Sequence, residues 1–198
     1  AEYLRVSGDG EFLMEEVPFD GMVGKGSVLD RLILWLQHFI YNIGTGSHSL
    51  VRLMNADWND CCLHFVEDMP YRKVFALAES HMNTTMAINV LGSLSVALTS
   101  LKSDDSLLEV KTKLANLING IDEYREDLLT AFKEDWGEKS FVPRIHVVDF
   151  TLGVEEMYLE PQPFVLGIPE ISEQRKQSLW NEIRQRLWED ELKGARQR

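Results

Sequence analysis

Apolar positions recur at helical spacing in four stretches of the chain. In 27–43, Ser27 stands as an N-cap and Gly44 as a stop, with Leu29, Leu32, Leu36, Phe39 and Ile43 on one face. Ile33, Leu34 and Trp35 widen that face, which predicts a helix buried on more than one side. A second helix is expected over 78–101, with small residues such as Gly92 and Ser95 between its large ones. A third starts near Ser103, with Asp104 and Asp105 in its first turn, and runs to about Glu134. Ser172 caps the last, whose apolar positions run from Leu179 through Trp180, Ile183 and Leu187 to Leu192.

Between these stretches the pattern breaks. Residues 1–26 hold Gly8, Gly10, Gly21, Gly24, Gly26 and Pro18, which reads as loop, and 46–65 shows few helix signals. In 136–167, Ile145, Val147, Val148 and Phe150 predict a short strand, and 157–159 a second. Pro143, Gly153, Pro161 and Pro163 interrupt the same region. The expected class is all-α, with about four substantial helices and a short irregular or β insertion.

Composition narrows the chemistry. The 198 residues carry 20 Lys and Arg against 32 Asp and Glu, a net charge of -12. Such a surface repels phosphate backbones and anionic lipids, so neither nucleic acid nor membrane is an expected partner. Neutral ligands such as sugars are compatible with it. No stretch has the length and uniform apolarity of a membrane span, and the first residues lack the apolar core of a signal peptide. Cys61 and Cys62 are adjacent, a poor disulfide pair, so a reducing, cytoplasmic setting is expected. The five histidines show no i, i+4 pair and there is no Cys-x-x-Cys, so no metal site and no cofactor are expected. No Gly-x-Ser-x-Gly elbow or phosphate-cradling Gly-Lys-Thr loop occurs.

The densest chemistry is Asn55-Ala56-Asp57-Trp58-Asn59-Asp60. Cleaving a glycosidic bond needs an acid to protonate the leaving oxygen, an aromatic face for a sugar ring, and groups that hold hydroxyls. All three are present within six residues. Asp and Asn also gather in turns because they bond nearby backbone, so a purely structural turn is the competing reading.

Asp57-Trp58-Asn59-Asp60, preceded by Ala56, resembles the Ala/Gly-Asp-Trp-Asn-Asp motif of the cellobiose phosphorylase family. That family includes chitobiose phosphorylase and the phosphorolytic part of cyclic β-1,2-glucan synthases. Further patches follow in family order: Phe12-Leu13 with Glu15-Glu16-Val17-Pro18-Phe19, then Glu79-Ser80, then Tyr158 to Phe164. Together they span about 10–187.

The resemblance implies an inverting glycoside phosphorylase acting on a β-linked glucoside or oligosaccharide. Inorganic phosphate is its co-substrate, no other cofactor is implied, and the product is a sugar 1-phosphate. Asp60 would be the general acid. Asp57, Trp58, Asn59, Glu79 and Gln162 would bind substrate. Because phosphate is the nucleophile, no protein base is needed. The family's catalytic domain is an (α/α) barrel, a double ring of twelve helices behind a β-sandwich. The whole of 1–198 is then expected to be part of that barrel, without the sandwich or the downstream phosphate-binding segment. Its exposed apolar helix faces would be covered by the remainder of a parent chain or by a homo-oligomer, and the isolated chain would be inactive. Two rivals stay open: an inverting hydrolase on the same barrel, with Asp60 as acid and Glu79 as base, and a non-catalytic interaction module that keeps the motif.

Overall fold

The computed structural model describes residues 1–18, 24–54 and 71–196. Among these the chain is mostly helical, but it also forms three small antiparallel sheets, so the all-α expectation is met only in part. No single helix there is long and apolar enough to cross a membrane. The chain divides into two compact units, one made of Ala1–Ile43 and Val90–Glu126, the other of Gly44–Asn89 and Asp127–Arg198.

In the first unit, the described residues of 1–26 are not the loop that the glycines there predict. Helix α1 (Glu2–Ser7) ends where Gly8 turns left-handed at φ 65°. A 3-10 turn follows at Glu11–Met14, and β1 (Glu16–Pro18) pairs antiparallel with β2 (Lys25–Ser27). Helix α2 (Val28–His38) begins at Ser27, as expected, with a complete capping box. The Asp30 backbone N–H donates to Ser27 Oγ, and the Asp30 carboxylate accepts from the Ser27 backbone N–H. A π turn at Phe39–Ile43 completes the element. Its burial is narrower than predicted. Leu29 and Leu36 are buried, whereas Leu34, Trp35 and Tyr41 are exposed among the described residues. One face is covered, not two.

Helix α4 (His81–Ser100) and helix α5 (Lys111–Trp136) each contribute one half to this unit. α5 is preceded by a 3-10 turn, Asp105–Val110, rather than starting at Ser103. At Gly92 a β-carbon would stand 2.8 Å from Arg125 Nε, and Ser95 Oγ donates to Asp122 at 2.5 Å. Moving three residues along α4 moves the partner three residues back along α5, so the two run antiparallel. The small residues do admit a close neighbour, as their spacing predicts.

In the second unit, α3 (Tyr71–Leu77) leads into β3 (Glu79–Ser80) and then into the first half of α4. The helix expected over about 78–101 therefore forms as one piece but starts at His81, after β3. The backbone of Glu79 pairs with His146 on one side and bridges Arg52 on the other, which takes it out of helical geometry. β3 pairs with β4 (Ile145–Val147), which pairs with β5 (Phe150–Leu152). The strand predicted around 145–150 is thus a hairpin, turned at Val148 with φ 43°. The second strand, predicted at 157–159, does not form. Helix α6 (Gln162–Leu166) and helix α7 (Glu173–Arg186) follow, α7 capped by Ser172 as expected. α7 stops short of 192: Leu187 ends it, Leu192 is exposed, and 188–195 folds back as β6 (Trp188–Glu189) against β7 (Gly194–Ala195).

Candidate functional site

Asp57, Trp58, Asn59 and Asp60 lie outside the described residues, within 55–70. Both flanks of that segment are described, and both belong to the second unit. On the N-terminal flank, the Leu53 N–H donates to the Ala78 carbonyl and the Ser80 N–H to the Val51 carbonyl, each at 2.8 Å. On the other, α3 buries Val74. Leu53, Val74, Ala78, Ile145 and Val147 form one apolar cluster, so the two flanks are held together under the three-stranded sheet.

Glu79 and Gln162, the two described residues with an expected substrate role, are occupied by the protein itself. Glu79 is 1% exposed. Its carboxylate accepts the His48 N–H at 3.0 and 3.2 Å, the Leu50 N–H at 3.0 Å and the Ser47 hydroxyl at 3.4 Å. His48 Nδ1 adds a contact at 2.6 Å. The carboxylate is the knot of the 46–50 turn. Gln162 is fully buried on α6. Its Oε1 accepts the Val142 N–H at 3.0 Å, and its Nε2 donates to the carbonyls of Val142 at 2.7 Å and Tyr158 at 2.8 Å. Both N–H groups and the oxygen of this amide are therefore engaged in bonds to the backbone.

Around Glu79 the fold assembles a polar cluster that sequence reading missed. His81, first residue of α4, donates from Nε2 to Asp135 Oδ2 at 2.8 Å. Asp135 lies in the last turn of α5, and its other oxygen accepts from His146 Nε2 of β4 at 2.7 Å. His146 Nδ1 is 2.8 Å from the Thr151 hydroxyl of β5. The His48 ring stacks on His146, centroids 3.9 Å apart, and the His81 ring lies tilted to it at 4.7 Å. Burial works against ionising Asp135, but the hydrogen bonds from His146 and His81 outweigh it and hold its carboxyl far below the usual range. Burial pushes His81 the other way, toward the neutral ring, against the pull of Asp135. Beside this cluster Arg144 is fully buried, with Glu160 at 3.7 Å, and its carbonyl accepts the His81 N–H at 3.3 Å.

His48, His81, Asp135 and His146 are far apart in sequence, and a search for i, i+4 histidine pairs could not find them. The available signal was indirect: His81 opens a helix and His146 sits in an apolar strand, both positions that bury a polar ring.

Comparison with curated proteins returned no match. A family model described as the catalytic domain of the glycosyl hydrolase 94 superfamily matches residues 1–141. The matched stretch includes Asp57 to Asp60, Glu79 and the α4–α5 pair, and ends before Gln162. With more than two thirds of its length matched, the chain belongs to the glycosyl hydrolase 94 superfamily.

Proposed function

We propose that this chain is the acid-bearing part of an inverting glycoside phosphorylase that cleaves β-linked glucosides or oligosaccharides. The observation that carries the reading is the family match running through Asp57-Trp58-Asn59-Asp60, which holds the parts that glycosidic cleavage needs. Asp60 gives its proton to the glycosidic oxygen as the bond from that oxygen to the anomeric carbon breaks. A phosphate oxygen attacks the same carbon from the opposite face, so a β-linkage gives an α-sugar 1-phosphate and a free acceptor hydroxyl. Trp58 offers a ring face to the sugar, and Asp57 and Asn59 hold hydroxyls. Glu79 and Gln162 serve this site by fixing the backbone around it, since their polar atoms are already engaged. The chain forms part of an (α/α) barrel, whose remaining helices and phosphate-binding groups come from a parent chain.

The hydrolase alternative needs a second carboxylate free to activate water. Glu79, the residue proposed for it, is buried and bonded to the 47–50 backbone, which favours phosphorolysis. The test is to incubate the parent enzyme with β-linked gluco-oligosaccharides, with and without inorganic phosphate, following phosphorus by NMR. Phosphate-dependent cleavage with an α-sugar 1-phosphate as product is expected. Cleavage to free sugars at the same rate without phosphate would establish the hydrolase instead.

A further inference from the structure

We propose that His81, Asp135 and His146 form a binding site for a divalent d-block cation of the zinc type. This goes beyond the glycosidic reaction and does not depend on it. One ligand atom from each, a ring nitrogen of either imidazole and a carboxylate oxygen, lies within 4.8 Å of the others. Two neutral-capable imidazoles and one carboxylate are a donor set suited to zinc, which leaves a fourth position for water.

The three ligands come from three elements: the start of α4, the last turn of α5, and β4. Sheet pairing from Glu79 to His146 fixes the spacing of two of those elements. A cation at the centre would therefore tie the first turn of α4 and the last turn of α5 to the sheet that carries the flanks of 55–70, all within the second unit.

In the arrangement described above, the N–H of each Nε2 points at Asp135, with contacts of 2.8 and 2.7 Å. Bonds of 2.0–2.1 Å to a tetrahedral ion place neighbouring ligand atoms roughly 3.3 Å apart, so the contacts need open by only about half an ångström. The ion takes the place of the two Nε2 protons, and each ring stays neutral by carrying its proton on Nδ1 instead. Of the two Nδ1 atoms, that of His146 has its partner in place. His146 Nδ1 faces the Thr151 hydroxyl, an acceptor for an Nδ1–H. His81 Nδ1 is buried and completes no hydrogen bond among the described residues. An imidazole whose second nitrogen donates to a hydroxyl or carbonyl is the arrangement that orients metal-ligating histidines.

The test uses the complete chain, stripped with a chelator and titrated with Zn2+, then with Co2+ as a spectroscopic probe. One equivalent of each is expected, with X-ray absorption showing two imidazole nitrogens and carboxylate or water oxygens, and no sulfur. Asp135→Asn and His146→Gln should abolish uptake. Thr151→Val, which removes only the hydroxyl at His146 Nδ1, should weaken Zn2+ binding about 10- to 100-fold. If the first two variants fail to fold, the Thr151→Val affinity and the wild-type absorption spectrum decide. Three results would overturn the proposal: no uptake by the stripped wild-type chain, sulfur ligation pointing to Cys61 and Cys62, or unchanged Zn2+ affinity in Thr151→Val.

Discussion

Glu79 occupies the space that a side chain at Gly46 would need: a β-carbon there would stand 2.5 Å from Glu79 Cδ. The 46–50 turn and the carboxylate it surrounds are thus one unit. Gly46 is required for its missing Cβ, since its neighbour is the stem of a buried, fully bonded carboxylate. Gly46→Ala forces Glu79 away from the N–H groups of His48 and Leu50. Overpacking costs about 1–3 kcal/mol, and each buried donor left unpaired about 1–3 more. Chemical denaturation of the variant should show a loss of about 3 kcal/mol or more; a stability equal to wild type would mean the turn is not held by Glu79.

Gln162 separates a structural role from a substrate contact. Gln162→Leu keeps the volume but leaves the Val142 N–H and the carbonyls of Val142 and Tyr158 without their amide. At about 1–3 kcal/mol for each stranded group, a loss of about 3 kcal/mol or more is expected. A thermal melt reads this directly. A variant with an unchanged melting temperature but a raised Michaelis constant would restore Gln162 as a sugar contact.

Asp30 ties pH to the stability of α2. The Lys113 hydrogen bond first, then that of Ser27, holds its carboxyl below the ordinary 3.8. A depressed carboxylate stabilises the fold above its unfolded value, and that contribution is lost as pH falls through the folded value. The side chain is more than a third exposed, so solvent screening keeps the effect small. Asp30→Asn should be less stable than wild type at neutral pH, and the difference should close below pH 3.8. A difference that persists in acid would show that shape, not charge, is what Asp30 supplies. Ser27→Ala, which removes the other half of the capping box, should cost about 0.5–2 kcal/mol at neutral pH and less in acid, because the Ser27 hydroxyl also donates to the Asp30 carboxylate.

For the reaction, Asp60→Asn in the parent enzyme should lower turnover about 10²- to 10⁴-fold on ordinary glycosides. Activity should survive best with activated leaving groups, which need little protonation. Asp57→Asn should raise the Michaelis constant more than it lowers turnover. Near wild-type phosphorolysis of an unactivated disaccharide by Asp60→Asn would remove Asp60 as the acid.

What was legible in the sequence is what neighbours along the chain decide. Ser27 and Ser172 cap α2 and α7 because an N-cap needs only its own hydroxyl and a backbone N–H three residues on. The apolar periodicity of α4 and α5, and the local Asp-Trp-Asn-Asp motif within the family match, are of the same kind. The misreadings share the opposite property. Glycines in 1–26 lowered the expectation of structure, yet Gly8 closes a helix and Gly26 pairs in a strand. The extended backbone at Glu79, just before α4, has no local signal, because it is imposed by Arg52 and His146. Val148 turns the β4–β5 hairpin with a positive φ that its residue type does not announce. The segment 157–159 has strand-forming residues, but the Tyr158 carbonyl is taken by the Gln162 amide rather than by a neighbouring strand. The histidine cluster is the clearest case. His48, His81, Asp135 and His146 carry no spacing rule, and meet only because a sheet and two helix ends converge. Hydrogen bonds between residues so distant form only once tertiary packing has offset the entropy of ordering the chain between them, so their partners are decided by the fold and not by the local pattern.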